Sequence, residues 1–385
     1  MKLIKLSTFL APLCMAVTVQ AQTISHKPVS FSQLVEPETK IAMGDKGQRQ
    51  NSRAFYKKVT GAQLNRGIEF VVNGENALVQ ISPLDKSRNG QRISNTSVPM
   101  GMLLSRGAQQ RNVDSEDIAL HRRSRGLKEN FPELYGRAHV MQIPEDMGKG
   151  TFQLKADNNA VNDDEFMVYV YDKNSRVSLQ LATPQSRYAE QKPLRFTASA
   201  QGLAGARLIS VVAQLMSPGG KSYKVPGRLR GAQFTSAWPI AVSEKRRPGE
   251  LWQLQVQASV RTPSGDTVER ISQVALDVYQ PTAKLQGVAG SASALQLNLD
   301  VQQAGRYEAR ALVYGTDFDG AQKPAVLAYQ AQWLTPGQQT LTVAIDAEQL
   351  QASGLAAPYF VNWVKLMDQG RMSVLESSEG AWPLK

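Results

Sequence analysis

Between two apolar runs the chain reads ADNNAVNDDE (156–165), ten positions crowded with oxygen-bearing side chains. Carboxylate and amide oxygens gathered in one loop are what a hard cation such as Ca²⁺ takes. Asp157, Asp163, Asp164 and Glu165 are the candidate ligands. The order D-x-[DN]-x-[DN]-G is broken, because Ala160 and Val161 interrupt it and no glycine makes the turn. Asp and Asn also close ordinary turns by bonding their own backbone. A weak calcium site and a solvated hairpin tip are therefore both open. Asp317, Asp319 and Gly320 form a sparser case of the same kind.

Other chemistry has less to work with. His26, His121 and His139 have no partner three or four positions away, so no HExxH-type metal face exists. Cys14 is the single cysteine. Gly290-Ser291-Ala292-Ser293 approaches the G-x-S-x-G nucleophile turn but lacks its second glycine. Neither a P-loop nor G-x-G-x-x-G occurs. Paired carboxylates could serve glycoside hydrolysis, but their separation decides that and sequence does not give it. With no cofactor expected beyond calcium, the chain reads as non-catalytic. A carbohydrate-active or peptide hydrolase with its site in the N-terminal domain is the first alternative, and a structural spacer or secretion partner the second.

Net charge is +11. From Lys86 to Lys128 there are nine Lys/Arg against Asp114, Glu116 and Asp117. Such a basic segment favours an anionic polymer or envelope component, or is simply solvated. Arg122, Arg123, Arg125 and Lys128 are the candidate contacts. No specific nucleic-acid motif accompanies them. Among the tryptophans, Trp252 and Trp333 fit core positions, while Trp238 and Trp382 are freer to stack on a sugar.

The first 21 residues read as a signal peptide. Lys2 and Lys5 precede an apolar core from Phe9 to Val19, and Val19-Gln20-Ala21 fits the cleavage site. The expected product starts at Gln22, is exported, and is periplasmic or extracellular; Cys14 leaves with the leader. A cysteine-free exported protein is common in Gram-negative bacteria. No later apolar run has the length of a membrane helix. Oligomeric state has no signature.

The elements that must carry these residues are mostly strands. Residues 22–53 are polar and without period, a loose lead-in. FYKKVTG, GIEFVVN, ALVQISPL, GTFQLKA, EFMVYVYD and VSLQLATP then define an N-terminal β-rich domain over 54–184, with a basic helix or loop insertion at about 85–140. Within the insertion a short helix is expected to be capped near Ser115. Strands recur every 8–12 residues over 185–280, an immunoglobulin-like sandwich without a disulfide. There, LWQLQVQASV places Trp252, Leu254, Val256 and Ala258 on one buried face. A second such sandwich spans 281–385, with one short helix, AEQLQASG, ended by Gly354. In its strand YFVNWVKLMD, alternation assigns Phe360, Asn362, Val364 and Leu366 to the core. The fold class is mainly β: tandem β-sandwiches, the second and third immunoglobulin-like, with few short helices.

Several phrases resemble a known family. GRYEARALVYGTD, AQWLTPGQQTLTVAID and SGLAAPYFVNWVKLMDQGRMSVLE are similar to the last domain of an exported bacterial family, domain of unknown function 4785. LWQLQVQA resembles its immunoglobulin-like domain, and KGTFQLKA with FMVYVYDKNSRVSLQL resembles its first domain. The resemblance implies a β-rich domain followed by two immunoglobulin-like ones, and carries no catalytic residues.

Overall fold

The computed structural model describes residues 26–39, 47–88, 91–93, 98–99, 101–115, 118–120, 138–241, 244, 249–291 and 293–384. The leader, most of the helix expected after Ser115, and Arg122, Arg123, Arg125 and Lys128 lie outside them. The described chain is mainly β and builds three hydrophobic cores in series, each between two sheets. None of its helices is long and apolar enough to cross a membrane.

In the first unit, strict alternation drives the layering. Along Glu165–Tyr171, Phe166, Val168 and Val170 are buried while Tyr169 and Tyr171 face out. This strand pairs with Ala54–Thr60 on one side and Leu78–Leu84 on the other, and His139–Gln142 extends the sheet. The facing sheet runs Ile68–Val72, Gly150–Lys155, Leu103–Arg106, Gln109–Asn112. Phe70 and Phe152 stack across neighbouring strands at 5.9 Å. Each such buried aromatic contributes about 1.5–3 kcal/mol by leaving water.

In the second unit Trp252, Leu254, Val256 and Ala258 are buried as the alternation requires. Their strand, Trp252–Arg261, lies between Arg207–Met216 and Thr267–Tyr279. The opposite sheet runs Arg228–Arg230, Gln233–Pro239, Pro193–Gln201, Ser178–Thr183, Gln48–Ser52. Two expectations change here. Ser178–Thr183, assigned above to the first domain, pairs with Pro193–Gln201 and packs Leu179 and Leu181 into the second core. Gln48–Ser52, part of the supposed lead-in, is that sheet's edge strand.

The third unit sets a five-stranded sheet against the three strands Ala283–Ser291, Ala294–Val301 and Gly337–Ala344. The helix Ala347–Ala352 crosses between the sheets. Asp346 caps it through the amides of Glu348 and Gln349, and Gly354 at φ 70° follows its end. The larger sheet runs Val29–Leu34, Gln322–Leu334, Gly305–Thr316, Ala356–Asp368, Ser373–Pro383. Its first strand also comes from the supposed lead-in, so Val29–Leu34 joins the third unit and Gln48–Ser52 the second before the first unit's strands begin at Ala54. An edge strand satisfies its backbone on one side only and needs no apolar period, which is why its sequence looked unstructured.

The parity expected for the last crossing is corrected within Ala356–Asp368. Val313 pairs with Val361 and Leu312 with Trp363, so Asn362 is an extra residue on this strand. This bulge shifts the alternation by one. Val361, Val364 and Leu366 are fully buried, whereas Phe360 is only partly so.

Two polar junctions join the units. Arg270, from the second, donates to the Asp172 carboxylate at 2.8 Å, to Ser175 Oγ at 2.8 Å and to the Val177 carbonyl at 3.0 Å. Asp172 also accepts the amides of Asn73 and Gly74, both at 2.9 Å. Between the second and third, Arg187 binds Asp277 at 3.0 Å, lies over the Tyr279 ring and donates to the Val374 carbonyl.

Candidate functional site

The acidic loop has a structural occupation. Its Asp164 and Asn162 carbonyls accept the amides of Gly61 and Ala62 at 2.7 and 3.1 Å, groups that open the helix Gly61–Arg66 and have no partner within it. Asn65 bonds the backbone of Ala160 in both directions and the side chain of Asn162. Contact is so close that a Cβ on Gly61 would lie 1.9 Å from the Val161 carbonyl oxygen. Asp157 and Asn158 sit at φ 46° and 64°, where their side-chain types are tolerated.

The candidate ligands are not brought together. Asp157 pairs with Lys155 at 3.3 Å, Asp164 with Lys86 at 3.0 Å and Glu165 with Lys58 at 2.9 Å, while Asp163 is exposed. Among the described residues no group of three His, Cys, Asp or Glu side chains could hold a metal ion. Asp317 likewise spends its carboxylate on the amides of Asp319 and Ala321 and on Lys323. His139 lies 3.4 Å from Asp114, and His26 packs on Trp333 at 4.2 Å. Trp333 is thus half-buried under His26 rather than in the core, while Trp238 and Trp382 pack partly against the second and third cores. An open cleft of about 620 Å³ between the first two units holds Glu69 and Glu269 among its walls, and Lys57 occupies Glu269 at 3.5 Å.

The most distinctive surface was not evident along the chain. It is the outer face of the second unit's five-stranded sheet, whose strands read RLR, QFTSAWP, PLRFTASAQ, SLQLAT and QRQNS. None contains an aspartate or glutamate, and four arginines lie among them. Register fixes where the arginines stand. Arg228, Thr235, Thr197, Ala182 and Arg49 form one row across all five strands. Four inter-strand steps of about 4.8 Å put Arg228 and Arg49 roughly 19 Å apart. Arg195 follows Thr197's face two residues along the central strand, and Arg230 lies beyond Arg228 on the edge. Phe196, Ala198 and Phe234 take the opposite parity and fill the core.

The result is a shallow basin of about 400 Å³ walled by Arg49 and Arg195, with Ala182, Thr197 and Thr235 beneath. All four arginines are exposed. Among the described residues none of their guanidinium groups has an ion pair or hydrogen bond. A guanidinium presents a planar fork of donors that matches carboxylate, sulfate or phosphate oxygens in pairs. Flanking hydroxyls and the Gln180–Asn51 amide pair add neutral donors and acceptors. Charge density along the chain missed this face because its arginines span residues 49–230 and meet only through strand pairing. The legible signal was outward-parity arginine in acid-free strands.

Family models for the N-terminal and C-terminal domains of the "Domain of unknown function (DUF4785)" match residues 20–172 and 281–385. The chain belongs to the DUF4785 family. A crystal structure of a DUF4785 family protein from Legionella pneumophila is similar over 94% of both chains, with a TM-score of 0.73 at 21% identity. That likeness shows that this DUF4785 chain and the Legionella protein share a fold. A tetra-tandem repeat from the extending region of a large adhesion protein aligns over 87% of this chain and 74% of its own at 14% identity, with a TM-score of 0.19. Activated Escherichia coli alpha-2-macroglobulin aligns over 93% and 33% at 12% identity, with a TM-score of 0.23. No curated protein matches the DUF4785 chain.

Proposed function

We propose that this DUF4785 protein is an exported, non-catalytic sandwich protein that binds an anionic glycan of the cell envelope or the extracellular medium. The observation that carries this reading is the acid-free sheet face with its four unpaired arginines. A span of roughly 19 Å between outer arginines suits a chain with repeated charges better than one small anion. The floor is made of hydroxyl and methyl groups, without an aromatic platform on which bases would stack. A sugar polymer bearing carboxylate or sulfate groups matches both features.

Retention on immobilised heparin and alginate, eluted with a salt gradient, tests it. The wild-type chain should elute late and the Arg49/Arg195/Arg228/Arg230→Gln variant early, with unchanged melting temperature. Equal elution of the two would remove the assignment. Early elution of Arg122/Arg123/Arg125→Ala alone would move the contact to the basic segment, and stronger retention on polyuridylate than on either glycan would replace the ligand class.

A further inference from the structure

A second cationic site lies on the third unit, and a like-charge pair marks it. Arg310 and Lys365 stand directly opposite each other on the adjacent strands Gly305–Thr316 and Ala356–Asp368. Like charges facing each other across a sheet are destabilising, so a carboxylate between them is the ordinary expectation. Glu308 is the nearby candidate, and it is already committed. One of its oxygens takes Arg310 Nε at 2.5 Å, and the other takes Gln369 Nε2 at 2.7 Å and the Tyr329 hydroxyl at 3.3 Å. Among the described residues Lys365 has no ion pair or hydrogen bond from its ammonium, and the terminal nitrogens of Arg310 have none either.

Around the pair, three cations (Arg310, Lys365 and Arg187) stand against the Glu308 and Asp277 carboxylates. Partial burial pushes the Lys365 pKa down, Arg310 adds to this, Glu308 pulls the other way, and Arg187, reaching over from the second unit, lowers it further. Phe31, Tyr329, Arg310, Lys365 and Ser377 form one row across all five strands. Phe31 stacks on Tyr329 at 4.5 Å, and the Arg310 guanidinium lies 5.8 Å from the Tyr329 ring centre on the way to Lys365. The row therefore runs from a partly exposed aromatic ring to two cations with unused donors.

We propose that Arg310 and Lys365 bind a single tetrahedral oxyanion, phosphate or sulfate, at the side of the third unit nearest the second. The anion would lie between the facing cations and take the Lys365 ammonium and the Arg310 terminal nitrogens as donors. A sugar carrying that phosphate would place its ring towards Tyr329 and Phe31. This site is separate from the arginine basin and does not depend on it.

Calorimetric titration with inorganic phosphate tests the site in the Arg49/Arg195/Arg228/Arg230→Gln background, which takes the basin out of the measurement. Phosphate and sulfate should bind, and Lys365→Met and Arg310→Gln should each weaken binding tenfold or more. In buffer without either anion, Lys365→Met should melt at a higher temperature than its parent, since it relieves the facing charges. Phosphate should then raise the parent's melting temperature and leave that of Lys365→Met unmoved. Absence of phosphate binding, or equal binding by parent and Lys365→Met, overturns the site. Tighter binding of glucose 6-phosphate than of phosphate assigns it to a phosphorylated sugar and equal binding to the free ion; both uphold it.

Discussion

Asp172 of the first unit and Arg270 of the second meet at 2.8 Å with neither side chain reaching solvent. Burial holds the Arg270 pKa below its ordinary value, and the adjacent Asp172 carboxylate offsets only part of that. The pair sits where the two cores touch: Ile271 joins the first core, and Tyr56 donates to Gln255 of the second unit at 3.0 Å. The first two units are thus held by a satisfied polar plug in an apolar seam, which fixes their relative orientation.

Asp172→Ala is expected to destabilise the chain by about 3–5 kcal/mol, because it strands a buried guanidinium. Urea unfolding followed by tryptophan fluorescence reads this. The double variant Asp172→Leu/Arg270→Met should recover much of the loss, since removing both charges leaves no unpaired group.

Thr235→Glu places a carboxylate beside Arg228 and Thr197 in the middle of the arginine face. Thr235 is exposed, so stability should stay within about 0.5 kcal/mol. Glycan affinity should fall about tenfold, equivalent to about 1.4 kcal/mol. Salt-dependent retention and a thermal melt on the same sample check the two halves.

Phe31→Ser removes the ring stacked on Tyr329 and should cost about 1–2 kcal/mol. Deleting residues 26–34 should uncover the edge of Gln322–Leu334. Its outward amides should lose hydrogen-exchange protection, and the protein should self-associate through that bare edge, read by light scattering.

Stability should carry a lysine signature at alkaline pH. Lys365 has a folded-state pKa below the free-lysine value of 10.5, so its penalty is complete below the folded value. Between the folded value and 10.5 the unfolded chain holds more protons, and stability contributed by this group rises with pH. The advantage of Lys365→Met over wild type should therefore shrink across that interval, measured by urea midpoints at a series of pH values.

Much of the architecture was legible because alternation is a local signal. Phe166, Val168 and Val170, and Trp252, Leu254 and Val256, declare their buried face within a few residues. What escaped depends on partners distant in sequence. QRQNS and VSFSQL look featureless until Ser178–Thr183 and Gln322–Leu334 supply their hydrogen bonds. Asn362 shifts its strand's parity only because Leu312 and Val313 set the register opposite. Arg49, Arg195 and Arg228 become one surface by the same long-range pairing.

Ser32 donates from the first strand to the Ala344 carbonyl, 312 positions away. During synthesis Val29–Leu34 leaves the ribosome long before Gln322–Leu334, the strand that seats it. VSFSQL stays without this partner until Gln322–Leu334 has been made, and a contact of such wide sequence separation forms late. A chain truncated before Gln322 lacks the strand on which Val29–Leu34 pairs, so the third unit's sheet links segments about 290 residues apart and closes only once both are present.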